Sequence, residues 1–172
     1  GISPWASKLG EDVAIPALNV VDDAYIKGGV GSRSFDREGV SPERVEIIKD
    51  GKLNSFLHNI YTANKMGTKS TGHAGGGAQS KAGISPSNFI IEGGDESLEE
   101  IIENTQKGIL VNRFSGNADP VSGDFSGVVK GGKYIENGEV VKSIKGVMIA
   151  GNVYQILNNI SALSKEKQFI HN

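Results

Sequence analysis

The chain has 172 residues, 37% hydrophobic and 22% charged, with a formal net charge of −2 and no cysteine. That length suits one domain with a real core, and the slight negative charge offers no field to hold a phosphate backbone, which disfavours nucleic-acid binding. The lack of cysteine excludes disulfides and thiolate zinc sites, and no apolar run approaches the roughly 20 residues of a membrane helix.

Glycine fills 24 positions, which disfavours a helical bundle and suits turns, bulges and close backbone approach. Residues 4–10 read as the last turn of a helix with Gly10 as its C-cap. Residues 14–21 (AIPALNVV) predict a strand, with Pro16 marking an edge or an irregular start. A loop follows through Asp22, Asp23 and residues 27–32. Residues 45–48 and 53–57 flank Asp50-Gly51, the signal of a two-residue type I′ hairpin. Residues 66–83 read as a long loop, and a strand resumes at 89–91.

Residues 98–107 predict the clearest helix. Ser97 and Glu100 make a capping box, Leu98, Ile101, Ile102 and Thr105 share one face, and Lys107 and Gly108 mark the end. Residues 109–114 read as a strand. The run 117–152 predicts an antiparallel ribbon, with a second type I′ hairpin over 134–141 turning on Asn137-Gly138. A strand over 145–150 leads into a last helix, capped by Asn152 and striped with Val153, Ile156, Leu157 and Ile160. The tail after Ser164 reads as frayed. These elements predict an α+β fold of mostly antiparallel β-sheet, hairpin-rich and sandwich- or barrel-like, with two or three short helices.

Residues able to carry chemistry are few and scattered. The histidines are His58, His73 and His171, and no two are spaced as a helical metal pair. His58 reads as a partly exposed residue closing a hairpin strand and His171 as an inert tail residue. His73 stands in a glycine-rich loop, where its side chain either faces a cleft or bonds the loop's own backbone. Asp22 and Asp23 are neighbours, so on a strand they point to opposite faces and form no dyad; bonding turn amides is their expected role. Asp36 and Glu38 read as loop salt bridges, and Asp124 as an acceptor for amides of a bulge. Ser70, Thr71, Ser122 and Ser126 lie in loops without a G-x-S-x-G elbow, and residues 72–77 lack the Gly-Lys-Ser/Thr of a phosphate loop. An open sheet edge with few bulky side chains gives a further option: an extended peptide added as a strand.

Several segments in order resemble one family. They are Lys8-Leu9-Gly10-Glu11 with Val21-Asp22-Asp23, Phe35-Asp36-Arg37-Glu38-Gly39-Val40, Tyr61-Thr62-Ala63, Ser70-Thr71-Gly72-His73-Ala74, Pro86-Ser87-Asn88 with Glu92-Gly93-Gly94, Gly123-Asp124-Phe125-Ser126-Gly127 and Ile149-Ala150-Gly151-Asn152. Together they resemble the C-terminal domain of the TldD/PmbA family, described both as modulators of DNA gyrase and as metallopeptidases. The Ser-Thr-Gly and Ser-Gly-Asp-Phe-Ser elements are more similar to the PmbA (TldE) branch. His73 stands where asparagine is more usual, and Gly75, Gly76 and Gly77 make the following stretch richer in glycine than expected.

The resemblance implies that residues 1–172 form a single C-terminal domain, with an N-terminal domain absent from this chain. The opening Gly1-Ile2-Ser3, without an initiator methionine, agrees with a fragment. In the TldD branch an upstream H-E-x-x-x-H helix binds zinc with help from a cysteine; neither is present here, so the expected cofactor of this chain is none, with zinc on a TldD-type partner. The resemblance further implies pairing with such a zinc-bearing subunit, or a homodimer, and a peptide substrate; no direct nucleic-acid or membrane contact is expected, and the cytoplasm is the default location. Thr71, His73 and Asp124 are the candidate substrate-binding residues, with no catalytic or metal-binding residue assigned.

Overall fold

The computed structural model describes residues 3–168. The chain divides into two compact units. The first comprises Leu9–Asp12 and Leu18–Glu92. The second, within the described residues, comprises 3–8, 13–17 and 93–168.

The first unit is built on an antiparallel sheet. Strands β1 (Val20–Asp22), β2 (Val45–Lys49), β3 (Lys52–Leu53) and β6 (Phe89–Ile91) lie in the order β3-β2-β1-β6. Leu18, Val20, Val21, Ala24, Val45, Ile48 and Leu53 form its buried apolar core. The β2–β3 hairpin turns on Asp50 and Gly51, whose φ of +50° and +76° are the left-handed pair a type I′ turn requires. Its second arm is shorter than expected, because the N–H groups of Asn54 and Ser55 both converge on the Ile47 carbonyl and the ladder ends there. The expected strand over 14–21 is also cut back. Only its last two residues join β1, while Ile15 donates its N–H to the Leu157 carbonyl in the second unit's own framework.

Helix α1 (Ile60–Met66) stands between the expected strand over 53–57 and the expected loop from 66, where the sequence reading assigned no element. Asn59 caps it: the side chain accepts from the Thr62 N–H at 2.8 Å, and Thr62 Oγ1 accepts from the Asn59 N–H at 3.1 Å. Gly67, at φ +67°, closes it. The expected loop 66–83 also contains a two-residue ladder between β4 (Ala74–Gly75) and β5 (Gly83–Ile84).

In the second unit, helix α2 (Leu98–Glu103) keeps the Ser97/Glu100 capping box but stops at Asn104. Lys107 and Gly108, read as its stop signals, are instead recruited into β7 (Lys107–Leu110). The expected strand over 109–114 is divided between β7 and β8 (Arg113–Ala118). Two three-stranded antiparallel sheets follow. One has the order β12-β9-β8, with β9 spanning Asp124–Lys130 and β12 Met148–Asn152; the other has the order β11-β10-β7, with β10 spanning Gly132–Glu136 and β11 Glu139–Ile144.

The β10–β11 turn holds Asn137 at φ +51° and Gly138 at +82°. Its tip sits on the end of α2, Asn137 and Gly138 donating to the carbonyls of Gln106 and Thr105. In the other sheet two rings cover two glycines. A Cβ on Gly127 would fall 2.2 Å from the Phe114 ring, and one on Gly151 would fall 3.2 Å from the ring of Phe125. Gly151 lies directly opposite Phe125 in the register. Helix α3 (Val153–Leu157) begins at the expected cap, Asn152, which accepts from the Gln155 N–H.

Residues 3–8 make successive turns rather than a helical end. Directly after Ser164 the chain is tied down rather than frayed: Lys165 donates to the Glu96 carbonyl, and the Glu166 carboxylate accepts from the first N–H of α2 at 2.9 Å. His171 lies outside the described residues. The fold is α+β and mostly antiparallel, as expected, and no sheet closes into a barrel among the described residues. No described helix is long and apolar enough to cross a membrane.

Candidate functional site

The candidate residues fall in both units. In the first unit, strand β1 delivers Asp22 and the segment between α1 and β4 delivers Thr71 and His73. His73 and Asp22 have no exposed surface and Thr71 is 9% exposed. His73 Nε2 lies 2.9 Å from Asp22 Oδ1, and His73 Nδ1 lies 2.9 Å from Thr71 Oγ1. Ser87 completes the set, its N–H donating to both carboxylate oxygens and its hydroxyl to Oδ1. Burial pushes the Asp22 carboxyl up, but the bonds from His73 and Ser87 outweigh it and hold the group below the ordinary aspartate range. A carboxylate only accepts, so Nε2 carries the ring proton.

Thr71 anchors more than the ring. Its Oγ1 accepts from the His58 N–H at 2.8 Å, its N–H donates to the His58 carbonyl, and its carbonyl accepts from Glu43. Along its accessible edge it joins Glu43, Arg44, Glu46, Asn54 and Ser55 in lining an open, shallow groove. Arg44 there is matched by carboxylates, with Glu92 at 3.3 Å, Glu46 at 3.6 Å and Asp23 at 3.8 Å. His58 is buried rather than partly exposed; its Nδ1 lies 3.2 Å from Thr62 Oγ1, and burial lowers its pKa from the ordinary histidine range. Asp36, read as a salt-bridge residue, is a buried amide acceptor: it takes the N–H groups of Glu38 and Val40 at 2.9 Å each and of Ala74 at 2.8 Å.

In the second unit, Asp124 opens β9. Its Oδ1 accepts from Asn152 Nδ2 at 2.7 Å, and the same amide nitrogen donates to the Ser122 carbonyl at 2.8 Å. Ahead of it, the exposed Asp119 carboxylate gathers the N–H groups of Val121 and Ser122, and the Ser122 and then the Val121 bond lower its pKa. Gly123, at φ +78°, lies under the Tyr154 ring, which also meets Trp5 at 5.1 Å between centroids.

The structure thus brings Thr71 and His73 into one network, while Asp124 belongs to the other unit. Sequence reasoning did not join Asp22 and Ser87 to the network: Asp22 is 51 residues from His73, and no local signal links them. Chemically, the network is a set of satisfied acceptors and donors. Both His73 nitrogens and both Asp22 oxygens are engaged in hydrogen bonds within the network. Among the described residues no group of three histidine, aspartate or glutamate side chains stands together as a metal site. Ser70 Oγ donates to the His58 carbonyl at 3.2 Å rather than to a histidine ring.

Comparison with known proteins gives one answer. A family model described as the PmbA/TldA metallopeptidase C-terminal domain matches residues 1–172. Metalloprotease MJ0996 of Methanocaldococcus jannaschii is 35% identical over 165 residues, covering 95% of this chain and 37% of its own length. Metalloprotease PmbA of Escherichia coli O157:H7 is 33% identical over 159 residues, covering 92% and 33%. The crystal structure of TldE from Thermococcus kodakarensis superposes with a TM-score of 0.87 at 33% identity, over 96% of this chain and 38% of that one. The chain therefore spans roughly a third of the length of the proteins it matches.

Proposed function

This chain belongs to the PmbA/TldA metallopeptidase C-terminal domain family, and on that premise we propose that it is the supporting domain of a PmbA/TldE-type subunit in a peptide-degrading metallopeptidase system. It contributes scaffold, assembly surface and a wall along which peptide is guided. Zinc and the hydrolytic water belong to a TldD-type partner. One observation carries this reading: the histidine and acid most able to act in the first unit, His73 and Asp22, have their donors and acceptors used internally. A hydrolytic zinc needs about three protein ligands and an open position for water.

The test is peptidase activity of the full-length protein, alone and mixed with a TldD-type partner, with and without chelator. Activity that appears only in the mixture and is lost with chelator is the expected result. Chelator-insensitive activity of the 172-residue chain alone overturns the reading.

One observation favours a second reading, a non-catalytic module that binds extended peptide. Strand β8 is an edge of its sheet and carries Ser115, Gly116, Asn117 and Ala118, all small or polar and exposed. An edge of this kind bonds a guest through its main chain with little side-chain preference. Tight peptide binding by this chain alone, with no turnover after the partner is added, selects this reading over the first.

A further inference from the structure

We propose that the Thr71 hydroxyl is a two-position switch set by the proton count of His73, so that the buried network holds either a neutral or a cationic ring with every polar group partnered. Thr71 has one hydroxyl proton and two acceptors within reach, His73 Nδ1 at 2.9 Å and the His58 carbonyl oxygen at 3.2 Å. When His73 is neutral, its single proton is on Nε2, facing Asp22, and Thr71 donates to the bare Nδ1. When His73 takes up a second proton, Nδ1–H donates to Thr71 Oγ1, and the hydroxyl proton turns to the His58 carbonyl. Oγ1 keeps the His58 N–H as a donor in both states.

Neither position strands a partner. With the hydroxyl turned away, the His58 carbonyl still accepts from the Thr71 N–H, the His73 N–H and Ser70 Oγ. With the ring charged, the Asp22 carboxylate is already in place as counter-ion, fixed by Ser87. A hydroxyl both donates and accepts at a single atom, so it meets either form of an imidazole nitrogen. A buried polar group without a partner is destabilising, and this arrangement avoids that in both states.

The other ionisable groups around the ring come from several elements. Asp36 holds the Ala74 N–H next to the ring's own residue. Glu43 donates its N–H to the Thr71 carbonyl, and His58 precedes α1. Arg33 Nη2 bonds the Ser85 carbonyl, while Ser85 N–H bonds the His73 carbonyl. Asp22 alone among them bonds the ring, so the charge change is read through Thr71 into the His58 peptide, at the entry to α1.

The experiment is a ¹⁵N NMR titration of the histidine rings in the intact chain, read beside its backbone amides. The expected result is Nε2 in the protonated position throughout. Nδ1 moves from the bare to the protonated position on acidification, the amide spectrum stays folded, and the Thr71 and His58 amides shift in step. Thr71→Ser keeps this titration, and Thr71→Val loses it, its ring gaining charge only as the chain unfolds. Should the wild-type ring charge only on unfolding, hold its neutral-state proton on Nδ1, or titrate unchanged in Thr71→Val, the proposal fails. If Thr71→Val does not fold, the wild-type and Thr71→Ser titrations decide alone.

Discussion

Asp36 in the first unit and Asp119 in the second use one device: a carboxylate that gathers backbone N–H groups of a turn. Asp36 takes three, from Glu38, Val40 and Ala74, and is 4% exposed. Asp119 takes two, from Val121 and Ser122, in open solvent. The bonds have similar lengths, so the difference lies in what happens when they are lost. Water replaces Asp119 at once, whereas the Ala74 N–H meets Asp36 in the buried interior, and an unmet buried donor carries its full desolvation penalty. The first unit therefore depends on polar groups inside it, the second on packing of rings against glycine.

The sharpest break of that contrast is Asp22→Ala, which strands the His73 ring proton, the Ser87 N–H and the Ser87 hydroxyl together. A loss of about 3–5 kcal/mol is expected in urea unfolding, enough to unfold a marginal domain. Asp36→Ala is expected to cost about 2–4 kcal/mol, and Asp119→Ala to move the midpoint several-fold less. Equal midpoint shifts for this last pair remove the distinction between the units.

On the packing side, Gly116→Ala places a Cβ 2.0 Å from the Ser126 carbonyl oxygen, and backbone has to move. A loss of about 1–3 kcal/mol is expected, read in the same unfolding experiment.

The smallest effect is in pH. Burial lowers the folded pKa of His58, so the unfolded chain takes up the proton first as pH falls below about 6.5. Stability is full above that value and declines as pH drops towards the folded pKa. Asp22 has the same sign at lower pH: its contribution is complete above about pH 4 and is lost as pH falls through its depressed folded value. His58→Gln is expected to flatten the upper part of the stability profile and leave the lower part unchanged.

The parts of the fold legible in the sequence are those whose cause is local. Asp50-Gly51 and Asn137-Gly138 demand left-handed backbone, Ser97 and Glu100 cap each other across three residues, and Asn152 caps the helix it begins. Helix α1 was hidden although its caps are equally local, because its apolar residues do not face a core: Ala63 is its one buried residue, while Ile60, Tyr61 and Met66 are exposed. Helix α2 reads too long because Lys107 and Gly108 have the chemistry of a helix end, yet pairing with Glu136 and Ile135 on β10 claims them. Thr71 and His73 were visible as residues of interest through their glycine-rich setting and the family motif. The carboxylate that completes their network comes from a distant strand, and only the folded chain shows which acid it is.

The rings of Phe114 and Phe125 over Gly127 and Gly151 act as two keys cut for two wards. Sliding β9 by one residue against either neighbour would set a ring against a side chain in place of the glycine it now covers. This ribbon of glycine, valine and serine, whose sequence alone leaves its alignment loosely specified, is thereby held to a single pairing. A foreign strand competing for a place between these three would have to carry the same pattern of bulk and void.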